Sequence, residues 1–158
     1  MPAVRHAVEA TFRRLRIETI VCSAACGADL LALDAAQALD IEAHVVLPFD
    51  PDRFRAMSVV DRPGDWGRLY DTAMAKARAS DRLTVLPGPF ATDSAAFSAA
   101  THELLRRAHE LGGHDALAIA IWDERTRPGE DFTGEFVQLA RGEGLVLTSV
   151  LTRTGLRA

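Results

Sequence analysis

The sequence predicts an α/β fold: a Rossmann-like three-layer sandwich with a mainly parallel sheet of about five strands, built as a single domain over residues 1–158. Three observations predict it. Short β-branched runs alternate with alanine- and leucine-rich helical stretches along the chain, the pattern of right-handed β–α–β crossovers. Ala116-Leu-Ala-Ile-Ala-Ile-Trp122 is almost continuously apolar, as a strand covered on both faces must be. Breakers stand at the joints, at Cys26-Gly27, Pro48, Pro87-Gly88-Pro89 and Gly112-Gly113.

The elements follow in order. Val4, Ala7, Val8, Thr11, Phe12 and Leu15 recur at three-and-four spacing and predict a helix over residues 3–15. Glu18-Thr-Ile-Val-Cys22 is a strand, followed by a small-residue turn and a helix over 28–39. Glu42 to Leu47 is the next strand, closed by Pro48, which cannot donate to a ladder. After a loop and a short helix, Asp65 caps a helix over 66–79, and Arg82 to Leu86 is a strand. Asp93 or Ser94 caps a helix over 95–111, ended by Gly112-Gly113. The apolar run 116–122, a helix near 132–141 and a strand over 145–151 complete the chain. One feature departs from the pattern: the first element is a helix, whereas such folds open on a central strand that carries the first ligand loop. Either an upstream strand is missing or the sheet is rearranged.

Composition narrows the function. The formal charge is −4 and the arginines are scattered among acids, which gives no basic stripe for nucleic acid. The longest apolar runs fall far short of the ~20 residues of a membrane helix. No secretory signal stands at the N-terminus, so a cytoplasmic protein is expected. Cys22 and Cys26 are too few for a disulfide scaffold and too few, without suitably spaced histidines, for a structural zinc site. Free thiols, no metal and no resident cofactor are expected.

Two loops can carry chemistry. Cys22-Ser-Ala-Ala-Cys-Gly-Ala-Asp29 places small residues where a buried strand turns into a helix. Unpaired amides and the positive end of the peptide dipole there favour a phosphate or carboxylate. Gly27 would let the ligand approach, Ser23 would add a hydroxyl, and Asp29 would cap the helix or touch the ligand. The alternative is close helix–sheet packing with no ligand. The second loop runs from Trp122-Asp123 to Pro128-Gly-Glu-Asp-Phe-Thr-Gly-Glu135, again between a buried strand and a helix, at the edge where open parallel sheets bind ligands. Gly129, Thr133 and Gly134 can receive a second phosphate or a ribose oxygen, and Asp123, Glu130, Asp131 and Glu135 offer carboxylates for ribose hydroxyls or acid–base work. A capped helix with a solvated acidic loop is the alternative here. Cys26, with no histidine near it in sequence, reads as a small buried residue before it reads as a nucleophile.

The strings Ser23-Ala-Ala-Cys-Gly-Ala-Asp-Leu-Leu-Ala32, His44-Val-Val-Leu-Pro-Phe49, Phe54-Arg-Ala-Met-Ser-Val59 and Ile119-Ala-Ile-Trp-Asp123 resemble the SLOG superfamily of Rossmann-like nucleotide-binding domains. The resemblance is closest to the SLOG-like module of bacterial signalling proteins that also carry cyclase or tetratricopeptide regions, and it spans nearly the whole chain. It implies a pocket for a nucleotide or nucleotide sugar lined by Ser23, Ala24, Cys26, Gly27, Ala28, Asp29, Pro48, Ser58, Trp122, Gly129, Thr133 and Gly134. The superfamily includes cytokinin-activating phosphoribohydrolases and is similar to nucleoside deoxyribosyltransferases, so Glu135 and Asp123 are the residues to which a catalytic role would fall. Two departures stand out. The phosphoribohydrolase loop Pro-Gly-Gly-x-Gly-Thr-x-x-Glu is here Pro128-Gly-Glu-Asp-Phe-Thr-Gly-Glu135, with two glycines replaced and the acid one position early, a turn of about 100° on a helix. Relatives also begin with a strand bearing a Gly-His-Arg-like motif, upstream of the point where this sequence starts.

Three functions are therefore expected in order: a nucleotide-binding sensor module; an N-glycosidase or transferase on nucleoside monophosphates; or a degenerate interaction domain for self-association, as a homodimer, or for regulation of a neighbouring protein, with a sheet edge or gap left to be covered.

Overall fold

A computed structural model describes residues 2–125 and 128–152. The chain forms α1 (Pro2–Leu15), β1 (Thr19–Cys22), α2 (Ala28–Ala38), β2 (Glu42–Leu47), α3 (Pro51–Ser58), α4 (Trp66–Ala79), β3 (Leu83–Val85), α5 (Asp93–Gly112), β4 (Leu117–Trp122), α6 (Phe132–Gly142) and β5 (Val146–Leu151), with a 3₁₀ turn at Gly113–Asp115. This is the mixed α/β architecture expected, and every strand pairing is parallel. The sheet is not continuous, however. β1, β2 and β3 pair in that order, β4 pairs with β5, and no ladder joins β1 to β4.

Local chemistry explains the boundaries. In α1 Val8 and Phe12 are buried on one face, while Arg5 and Arg13, each about one turn away, reach Glu9 at 2.7 and 3.8 Å. Asp50 caps α3 by accepting from the amides of Asp52 and Arg53, both at 3.0 Å, and Pro51 sits at the first helical position, where its missing amide costs nothing. Two expected caps are corrected. Thr92, not Asp93 or Ser94, caps α5: its extended backbone aims the hydroxyl at the amide of Ala95, 3.1 Å away. Asp65 precedes α4 but makes no capping hydrogen bond, because its carboxylate accepts from Arg68 at 2.6 Å instead.

Alternation along the strands sorts the helices into two layers. Val45 and Leu47 of β2 pack with Leu30 and Leu33 of α2 and with Met74 and Ala77 of α4. Ile119 and Ile121 of β4 and Val150 of β5 join Val8 and Phe12 of α1 and Ala35 of α2 on that same side. Ala118 of β4, Leu147 of β5, Leu105 of α5 and Ala140 of α6 form the core of the opposite side. Thr84 of β3 faces α5, accepting from the Arg107 guanidinium at 2.9 Å. So α1, α2 and α4 cover one face, and α5 and α6 the other. The largest fully buried side chain is Phe54 of α3, enclosed with Tyr70, whose hydroxyl donates to the carbonyl of Pro51 at 2.8 Å. No helix among the described residues is long and apolar enough to cross a membrane.

Candidate functional site

In a parallel sheet all strand-to-helix loops emerge at one edge, and the aromatic contacts identify it here. Phe49, just past β2, lies 5.6 Å from Phe97 near the start of α5, which lies 4.9 Å from Phe132 at the start of α6. The ends of β2 and β4 therefore share an edge. The loop after β1 joins it where the amide of Cys26 donates to the carbonyl of Ser58, the last residue of α3, at 2.8 Å.

The β1 loop is built from the inside out. Ala24 is completely buried and belongs to the main hydrophobic core. The amide of Ala25 donates to the Asp29 carboxylate at 3.1 Å, so Asp29 braces the loop that precedes it. Burial pushes the Asp29 carboxyl up to about 6, and the single amide bond from Ala25 only partly offsets it. Burial likewise raises both thiols, so Cys22 and Cys26 are protonated free thiols at neutral pH. Gly27 has φ of +94°, a conformation that disfavours any side chain, and space is open where its Cβ would point. No protein group among the described residues accepts from the amides of Gly27, the residue before the 11-residue α2, or of Ala28 and Asp29, its first two residues, and no side chain caps that helix. Ser23 is partly buried beside them. Large side chains do not plug the turn.

The β4 loop is arranged differently. Asp123 follows the strand and accepts from the amide of Arg125 at 3.2 Å. Asp131 caps α6 by accepting from the amide of Gly134 at 2.9 Å. A Cβ on Gly134 would lie 2.6 Å from the Asp131 carboxylate, so the glycine is there to let the cap close. That amide is engaged, and the ligand role expected for it is occupied by the chain itself. Glu135, in the first turn of α6, accepts from the Ser98 hydroxyl of α5 at 2.8 Å, which fixes its direction. Thr133 and Gly129 are exposed, the latter with φ of +90°. Trp122 donates its indole hydrogen to Ser149 across the β4–β5 pair at 3.2 Å. Pro48 is fully buried at the end of β2 and contributes shape alone.

The structure thus brings Ser23 to Asp29 and Ser58 into contact and places Asp123, Thr133 and Glu135 on the same edge. Sequence reasoning did not single out Ser98, which is 37 positions from Glu135, nor Arg53, whose guanidinium stacks 4.3 Å over Phe49 and pairs with Asp93 at 2.6 Å. The Ser98–Glu135 and Arg53–Asp93 contacts join residues 37 and 40 positions apart, which no local spacing announces. No three histidine, cysteine or carboxylate side chains among the described residues cluster to hold a metal. No protein-family model, curated protein or solved structure matches the chain.

Proposed function

We propose that the chain is a binding module for a nucleotide or nucleotide-derived ligand, of the SLOG type that its motif strings resemble, with a phosphate seated on the amides of Gly27, Ala28 and Asp29. One observation carries the reading: three consecutive unpartnered amides open a helix at the carboxyl edge of a parallel sheet, beside a glycine with open space over it. Ser23 stands where its hydroxyl can add a hydrogen bond, and Asp123 and Thr133 lie on the same edge for the ribose or a second phosphate. Burial outweighs the lowering pull of the Arg62 guanidinium and holds the Cys26 thiol up, which favours binding over thiol chemistry as the role of this loop.

Thermal melting with AMP, ADP, ADP-ribose and cyclic dinucleotides tests this. A ligand at a hundredfold excess over its Kd adds about 2.7 kcal/mol, about 5–11 °C for a domain of this size. Ala28→Pro removes one of the three donors at a helix position that tolerates proline, so it should keep the ligand-free melting temperature and reduce the shift. If no nucleotide moves the melting temperature, the reading fails. Because Ser98 holds Glu135 in a set direction, the same incubations are assayed for free base; its steady release would replace the sensor reading with the N-glycosidase one.

A further inference from the structure

Between the unpaired edges of β1 and β4 lies a cleft of about 680 Å³. Its two walls are strand edges, and its floor and roof are side chains of both helical layers, Phe12 and Ala32 on one side and Leu105, Ala108 and Phe136 on the other. A strand of about six residues, ~3.3 Å per residue, 4.8 Å from its neighbours and in a layer ~10 Å thick, occupies roughly 1000 Å³, the same order as the cleft. The strands beside it behave as central strands without a neighbour. β1 has no buried residue and β4 is half-buried at alternate positions, whereas three consecutive residues of β2 are buried. Strand edges expose alternating amides and carbonyls that another strand's backbone satisfies in full.

We propose that this cleft is the seat of a sixth parallel strand, supplied by polypeptide that leads directly into α1. The handedness of the crossovers selects that source. Steps from β1 to β2 and from β2 to β3 move away from the cleft, and their helices α2 and α4 lie on one face; the step from β4 to β5 moves away in the opposite direction, and α6 lies on the other face. α1 lies on the face of α2 and packs against it. A right-handed unit ending in β1 with its helix on that face has its first strand on the cleft side of β1. Only Arg16 to Glu18 separate α1 from β1, so α1 runs antiparallel to β1 and its first residue lies at the carboxyl edge, where a strand filling the cleft would finish. That strand would also stand at the point where the helices switch faces, the place at which open sheets form ligand crevices.

Amide hydrogen exchange decides it, and does so without any ligand. The intact protein, with whatever polypeptide precedes Met1 in its reading frame, is compared with residues 1–158. The expected result is at least tenfold slower exchange of edge amides in Ile20–Cys22 and Ala118–Ile121 in the longer chain, reversed when a proline is placed in the middle of the added strand while the chain stays folded by circular dichroism. No upstream polypeptide, no added protection, or protection insensitive to the proline overturns the proposal. Protection of residues 1–158 that grows with protein concentration also overturns it, by assigning the cleft to a second copy.

Discussion

Replacing Asp29 by asparagine should stabilise the protein at neutral pH and remove a pH dependence that the carboxylate causes. The Asp29 carboxyl is raised from 3.8 to about 6 by burial. An acid with a raised native pKa binds more protons folded than unfolded between those values, so stability falls as pH rises through that window and the penalty is complete above about 6. The shift of about two units corresponds to roughly 3 kcal/mol at pH 7.5 and to well under about 1 kcal/mol at pH 4. Asparagine keeps an oxygen to accept from Ala25, 3.1 Å away in the parent, but a neutral acceptor is weaker by about 1 kcal/mol. Asp29→Asn should therefore gain about 2 kcal/mol at pH 7.5, some 4–8 °C in melting temperature for a domain of this size. At pH 4 it should gain nothing. Urea unfolding of both proteins at pH 4 and 7.5 measures this directly. A variant less stable than the parent at pH 7.5, or one whose stability relative to the parent is the same at both pH values, would show that the carboxylate is not held against its own ionisation and that the loop is braced in another way.

Gly27→Ala should cost about 1–2 kcal/mol in urea unfolding, all of it backbone strain at φ of +94°, since the added methyl meets nothing. Gly134→Ala and Asp131→Ala should each cost about 1 kcal/mol, and the double variant little more than either alone, because both break one helix cap; full additivity in a double-mutant cycle would separate them. Phe54→Ala, at a side chain with no exposure, should cost about 3–5 kcal/mol and lower the thermal midpoint by at least 6 °C in calorimetry.

Helix and strand periods were legible because they are local. The three-and-four recurrence of Val4, Val8 and Phe12 and the β-branched run ending at Leu47 each report a face that must be covered, whatever covers it. Caps were less legible. Thr92, Asp93 and Ser94 are all capping residues, and only the extended backbone at Thr92 decides among them. At the candidate site the turn at Gly27 announces itself through small residues, but the bond of Ser98 to Glu135 and the ion pair of Arg53 with Asp93 join elements far apart in sequence.

By itself the sequence determined the order and type of the elements, the parallel α/β class and the position of the two loops, since these depend on side-chain periodicity and on turn residues a few positions apart. Only the tertiary structure decided that the five strands divide three and two around an open cleft, that Asp131 fills the start of α6 while the start of α2 stays uncapped, and that Asp29 pays for its place under the first loop with a raised pKa. Pairing of strands, engagement of amides and desolvation of a carboxylate are properties of neighbours in space, and neighbours in space are what a linear pattern does not contain.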